Sequence, residues 1–154
     1  GNGSHVKGIV TSFKGIQYTG IDISPTMVSE AQHINTGLDN VTFLLTDGNT
    51  IPFDESLFDK IFTANTIYFW SGAQDYAIEI ARVLRPGGIF SIAFIPKSTM
   101  QHIPFAKFGF TFYNTAAVTS LLQRARLSVI KESLQTEFVT SNSGEKVERE
   151  FVII

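Results

Sequence analysis

The stretch Gln17-Tyr18-Thr19-Gly20-Ile21-Asp22-Ile23-Ser24-Pro25-Thr26-Met27 changes character at its centre. Its first half, after Ile16, is a short β-rich run through Tyr18, Ile21 and Ile23 and reads as a strand over residues 17–23. Then the pattern turns helical. Ser24 can cap a helix with its hydroxyl, and Pro25 takes the first helical position, where a missing N–H is tolerated. Met27, Ala31 and Ile34 follow at i, i+4 and i+7, one helix face. Gly37 ends the helix. A strand feeding a helix through an acid is half of a βαβ unit, so the same alternation is sought on either side.

It continues toward the C-terminus. Residues 41–45 read as a buried-type strand closed by Thr46-Asp47-Gly48, and residues 58–64 as another, ending at Asn65-Thr66. Tyr76, Ile80, Val83 and Leu84 mark an amphipathic helix. Pro86-Gly87-Gly88 turns the chain sharply into a strand over residues 89–95. Residues 115–126 form a helix with Val118, Leu121, Leu122 and Ala125 on one face. Residues 127–134 and 147–154 read as two last strands, with the hydrophilic stretch 140–146 as their turn. Toward the N-terminus, residues 6–13 form a short helix with Val6, Ile9, Val10 and Phe13 on one face, and no strand precedes it. Strands alternating with helices predict an α/β fold, a doubly wound, Rossmann-like and mostly parallel sheet. The last two strands, with no helix between them, close it as an antiparallel hairpin. One domain is expected over residues 1–154, with 1–95 as a cofactor-binding half and 96–154 as a substrate-side half.

Composition agrees with such a fold. The chain has 154 residues, 44% hydrophobic and 17% charged, an ordinary globular balance. Its net charge of −2 and the lack of a Lys/Arg cluster argue against a nucleic-acid partner. This chain has no cysteine, which excludes disulfides, thiol catalysis and thiolate metal sites from it. His5, His33 and His102 lack ligand spacing, so no metal is expected. No apolar run approaches the ~20 residues of a membrane helix, and no signal peptide is visible. The expected partner is a small molecule, with no membrane partner, and the expected compartment is the cytoplasm. The oligomeric state is not readable.

In an open α/β sheet, ligands sit outside the carboxyl ends of the strands. There the sequence places Asp22, then Asp47-Gly48, then Asn65 followed by Tyr68-Phe69-Trp70. Asp22 can accept hydrogen bonds from both hydroxyls of a ribose. Its separation from Gly3 matches the ~20 residues between a glycine loop and a ribose acid. It reads equally as a loop acid that helps cap the next helix. Gly1-Asn2-Gly3 would let backbone N–H groups approach a ligand at a helix N-terminus; Gly1-Asn2-Gly3-Ser4-His5 also resembles a tag remnant. Asp47-Gly48-Asn49 offers a carboxylate to an exocyclic amine and room for a flat ring, or is a solvated Asp-Gly turn. Leu84-Arg85-Pro86-Gly87-Gly88 is given a structural job only.

Together, several segments resemble the class I S-adenosylmethionine (SAM)-dependent methyltransferase family. They are Gly1-Asn2-Gly3, Gly20-Ile21-Asp22-Ile23-Ser24, Asp47 through Ile51-Pro52-Phe53, Phe58-Asp59-Lys60-Ile61 and Arg82-Val83-Leu84-Arg85-Pro86-Gly87-Gly88. They fall in the family's order and spacing. The resemblance implies SAM as cofactor and in-line transfer of its methyl group to a small-molecule acceptor. It implies that Gly1, Asn2 and Gly3 lie beneath the methionine part of SAM and that Asp22 binds the ribose. Ile23 and Met27 would flank the adenosine, Asp47, Gly48 and Asn49 the adenine, and the Asn65 backbone the methionine amine. In the family a strand carrying an acid and a further glycine precedes the loop. None stands here, and a sheet without that central strand would have two raw edges. Further N-terminal residues are therefore expected in the natural protein.

Tyr68 is the candidate catalytic residue, facing the transferred methyl, or else an aromatic wall; Tyr68 and Trp70 are candidate substrate contacts. His102 is a candidate base or a surface-loop histidine. Phe94, Phe105, Phe108, Phe110 and Phe112, with Phe69, Trp70 and Tyr113, either wall a pocket for an apolar or cationic acceptor or pack the sheet's outer helix. Two rival functions are a nicotinamide (NAD) dehydrogenase and a non-catalytic methyltransferase-like partner subunit. The first lacks the third glycine of G-x-G-x-x-G and has no use for Asp47.

Overall fold

Strand β1 (Tyr18–Asp22) pairs in parallel with β2 (Val41–Leu45), from Tyr18 opposite Val41 to Asp22 opposite Leu45. Parallel neighbours need a crossover, and helix α2 (Pro25–Ile34) supplies it. The Ser24 hydroxyl accepts from the Met27 N–H at 3.3 Å, and Pro25 opens the first turn. Ahead of β1 lies α1 (Val6–Ser12). Val6, Val10, Ala31 and Phe43 form the buried core here, joined by Ile16, Tyr18, Val28, Leu38 and Val41. Phe13 and Ile34, which the helical spacing places on inward faces, are exposed. The computed structural model describes residues 1–103, 106, 108–140, 144 and 146–154. The chain divides into two compact units, Gly1–Pro52 and Phe53–Ile154.

The second unit holds β3 (Phe58–Ala64), a 3-10 turn (Ile67–Phe69), α3 (Ala73–Val83), β4 (Leu84–Phe94), α4 (Lys97–Met100), α5 (Thr115–Arg124), β5 (Ser133–Thr140) and β6 (Lys146–Ile153). Its sheet runs β3-β4-β6-β5. The β3–β4 pair is parallel; β6 is antiparallel to both β4 and β5. Helix α3 buries Ala77, Ile80 and Val83, and α5 buries Val118, Leu121 and Leu122. Ile92 and Phe94 of β4 are fully buried. Asn114 caps α5 by accepting from the Ala117 N–H at 2.8 Å.

The sequence expectations differ from this structure in further places. Leu84 begins β4 instead of ending α3, because it pairs with Phe58. The next pairing is Lys60 with Ile89, so Arg85-Pro86-Gly87-Gly88 forms an excursion within the strand, with Gly87 at φ 78°. The first strand of the hairpin covers Ser133–Thr140, not 127–134. Its register is set by β6, from Ser133 opposite Ile153 to Thr140 opposite Lys146. Leu127 is instead tied back to the end of α5, its N–H donating to Leu122 O at 3.0 Å after Arg126 turns left-handed. The apolar run Leu127-Ser128-Val129-Ile130 thus stays outside the ladder. Helix α4 and the 3-10 turn have no counterpart in the sequence reading. In the expected 140–146 turn, residues 141–143 and 145 lie outside the described residues.

Among the described residues no strand precedes α1, and β1 and β3 are each paired along one edge only. Among them, too, no helix is long and apolar enough to cross a membrane.

Phe94 is fully buried where β4 meets β6, opposite Val152. Phe94→Ala is expected to lower unfolding free energy by about 3–5 kcal/mol. Urea denaturation followed by circular dichroism measures this, and a loss under ~1 kcal/mol would remove Phe94 from the core.

Candidate functional site

In the first unit, the end of β1 faces the N-terminal glycine loop. Gly3 is buried with φ 67°. A Cβ there would stand 2.9 Å from Phe43 Cζ and 3.0 Å from Asn35 Nδ2, so glycine is required on two counts. Asn2 Nδ2 donates to Glu30 Oε1 at 3.1 Å, and Asn2 Oδ1 accepts from the Ser4 N–H at 3.3 Å. The Asp22 carboxylate accepts from the Ser24 N–H at 2.8 Å through Oδ1, while the terminal amine of Gly1 contacts Oδ2. Burial raises the Asp22 carboxyl, and the amides of Ser24 and Ile23, which donate to it, act the other way.

The end of β2 lies beside it, with the Thr46 N–H donating to Asp22 O at 3.0 Å. Gly48 has φ 78°, and a Cβ on it would meet Ile23 Cγ2 at 2.8 Å. Asp47 Oδ1 accepts from the Asn49 N–H at 2.8 Å and the Thr50 N–H at 3.0 Å. Those amides hold its carboxyl below the usual range. Oδ2 contacts Thr50 Oγ1 at 3.5 Å, and the residue as a whole is exposed. Ile23 and Asn49 are exposed, and Met27 is half-buried. The structure thus brings Gly1, Asn2, Gly3, Asp22, Ile23, Asp47 and Gly48 to the carboxyl ends of two parallel strands. Sequence reasoning missed Asn35, a buried residue whose amide reaches Gly3 O at 3.1 Å. The only signal was an Asn at a helix end, which reads as a stop.

In the second unit, β3 ends at Asn65, left-handed at φ 57°, whose N–H donates to Ala93 O at 2.9 Å. Tyr68 is 3% exposed. Its hydroxyl donates to Asn65 Oδ1 at 3.0 Å and accepts from the Ile95 N–H. Trp70 is buried, and its Nε1 donates to Thr66 Oγ1 at 3.2 Å. Burial pushes the Tyr68 phenol up to about 12. In this structure the hydroxyl ties the end of β3 to the residue after β4.

Of the aromatic residues, Phe94 is core. Phe69 and Phe110 meet edge to face with centroids 4.7 Å apart, and Phe110 lies 5.7 Å from the Tyr68 ring. Phe69 and Phe108 are exposed, while Phe112 and Tyr113 are half-buried. Phe105 lies outside the described residues. His102 is exposed beside Gln101, as a surface-loop histidine is.

A buried glycine turn ahead of α1, an acid ending β1, an Asp-Gly turn ending β2 and a closing antiparallel hairpin are features of a Rossmann-like methyltransferase. The family described as "Methyltransferase domain" matches residues 1–92. The chain belongs to this family, the class I SAM-dependent methyltransferases. It is similar to a demethylmenaquinone methyltransferase of Tropheryma whipplei, 39% identical over 74 residues, 48% of this chain and 30% of that protein. It is also similar to a phthiotriol/phenolphthiotriol dimycocerosates methyltransferase of Mycobacterium tuberculosis, 28% identical over 95 residues, 60% of this chain and 34% of that protein. The matched parts span about a third of these curated relatives. Among solved structures, it resembles a chain of the complex between the Haloferax volcanii Trm112 methyltransferase activator and the putative methyltransferase. The TM-score is 0.77 at 27% identity, over 86% of this chain and 61% of that one.

The Tyr68 phenol has a stability consequence. In the unfolded chain it ionises near ~10, whereas folded it stays protonated to about 12. The unfolded state loses its proton first, so stability is full below pH ~10 and falls as pH rises between the two values. Tyr18 and Tyr113 are raised by burial too and add to the slope. Tyr68→Phe is expected to flatten the decline between pH ~10 and ~12. At neutral pH it should cost about 1–3 kcal/mol, because the Ile95 N–H loses its acceptor. Thermal denaturation across pH measures both, and an unchanged alkaline slope would show that the phenol is not held neutral by the fold.

Proposed function

We propose that this protein transfers a methyl group from SAM to a small, apolar acceptor. The observation that supports this reading most is the Asp22 carboxylate, at the end of β1 and turned toward the glycine loop. The donor set fits the cofactor. Asp22 can accept from two vicinal hydroxyls, Gly48 lets the Ile23 side chain close against its bare backbone, and Asp47 offers a carboxylate oxygen to an exocyclic amine. SAM supplies an electrophilic methyl on a positively charged sulfur. In this reading Gly1, Asn2 and Gly3 receive the methionine end, Ile23 and Met27 flank the adenosine, and Asp47, Gly48 and Asn49 border the adenine. Asn65 offers its backbone to the methionine amine. The protein's main contribution is to hold nucleophile and methyl in line, worth roughly 7–11 kcal/mol in well-aligned systems.

The apolar acceptor is supported by the exposed rings of Phe69 and Phe108 and by the names of relatives that methylate demethylmenaquinone and phthiotriols. Tyr68 and Trp70 serve this side as buried supports of the aromatic wall, with the Tyr68 hydroxyl holding Asn65. Residues 1–154 act as one domain in this reading, 1–95 on the cofactor side and 96–154 on the acceptor side.

Calorimetric titration of the full protein with S-adenosylhomocysteine tests the reading. Binding is expected, and Asp22→Ala is expected to weaken it at least about tenfold, the value of a charge-assisted hydrogen-bond pair. No binding, with NAD binding instead, would turn the assignment to a dehydrogenase. Binding without turnover on a panel of apolar acceptors would support the non-catalytic partner.

A further inference from the structure

Asn35 follows the last turn of α2, and its backbone keeps the pattern of a helix end. Its N–H donates to Ala31 O at 3.2 Å, and its carbonyl accepts from the Leu38 N–H at 3.2 Å. The side chain does something a helix end does not require. It is 5% exposed, and Nδ2 donates one hydrogen to Ala31 O at 2.9 Å and the other to Gly3 O at 3.1 Å. Gly3 O also accepts the Val6 N–H at 3.0 Å, the bond that opens α1. One carbonyl therefore joins the glycine loop to both helices of the first unit. The amide also fills the place beside Gly3 where a Cβ would lie only 3.0 Å from Nδ2.

The chemistry selects this residue type. Two carbonyl oxygens need two N–H bonds from one planar group, which the asparagine amide supplies. A carboxylate would set oxygen against oxygen in a buried place, and leucine has the outline without the donors. Asn35 Oδ1 is buried with no hydrogen-bond partner. Flipping the amide would turn that oxygen onto the two carbonyls, so the orientation follows from the network. An unpaired buried oxygen disfavours folding. A leucine would avoid that penalty, yet only the amide can hold Gly3.

We infer that Asn35 is a positioning residue, clasping the Gly1-Asn2-Gly3 loop in the shape that receives the methionine end of SAM. It acts through Gly3 and touches no ligand. The inference rests on the cofactor site proposed above.

Asn35→Leu in the full protein tests it, read by hydrogen exchange, thermal denaturation and S-adenosylhomocysteine titration. The Val6 amide is expected to exchange at least about tenfold faster, because Gly3 O loses its second anchor. The thermal midpoint should stay within about 5 °C of the parent, since the unpaired oxygen leaves together with the donors. Affinity for S-adenosylhomocysteine should fall about tenfold. In Asn35→Asp, which keeps the shape and removes the donors, exchange should rise and affinity fall likewise. Unchanged Val6 exchange would overturn the clasp, whether or not the parent binds S-adenosylhomocysteine. Faster exchange with unchanged affinity in a binding-competent parent would overturn the link to the cofactor. Failure of both variants to fold would make Asn35 a plain structural residue and overturn it too. A parent that does not bind S-adenosylhomocysteine sinks the proposed cofactor site, and Val6 exchange still decides the clasp.

Discussion

The ring of Phe43 lies against two bare backbones, and the first unit is organised around that contact. A Cβ on Gly20 would stand 2.7 Å from Phe43 Cδ1, and one on Gly3 would stand 2.9 Å from Phe43 Cζ. One aromatic ring on β2 thus sets how closely β1 and the glycine loop approach it. Interiors pack too densely to absorb such an intrusion without displacement. The usual account of a glycine at Gly3 is access for a ligand. Here its missing side chain is taken up from the protein side, by Phe43 and by the Asn35 amide. The loop has its shape before any ligand arrives, the economical condition for binding one.

The second unit meets the same need with a hydroxyl. Asn65 leaves β3 in a left-handed conformation, which a residue with a side chain adopts only when its surroundings hold it. Its N–H is paired to Ala93 and its side chain to the Tyr68 phenol, which the Ile95 N–H also engages. The glycine loop and the end of β3 are thus each held by a buried polar group reaching in from another element, Asn35 and Tyr68.

That arrangement explains what could be read in advance. Ser24-Pro25 and the apolar runs of β2 and β3 are local signals, and the structure places them where the sequence does. The first hairpin strand lies further along the chain than its sequence suggests because a strand is defined by its partner. Leu127 to Ile130 look as strand-like as Ser133 to Thr140 until β6 chooses between them. Leu84 reads as the last helical apolar position until Phe58 pairs with it. Asn35 and the Tyr68 hydroxyl were illegible for a related reason. Their roles depend on carbonyl and amide groups 32 and 27 residues away, and backbone groups leave no trace in a sequence.

Among the described residues, β1 and β3 each leave one strand edge unpaired, and their sequences treat that edge differently. An unpaired strand edge is a row of donors and acceptors that accepts any strand of suitable twist. β3 carries Asp59 and Lys60 near its start, whereas β1 is Tyr18-Thr19-Gly20-Ile21-Asp22, with one charge at its far end. Of the two edges, β1 is therefore the one that a further strand meets with the least opposition from charge.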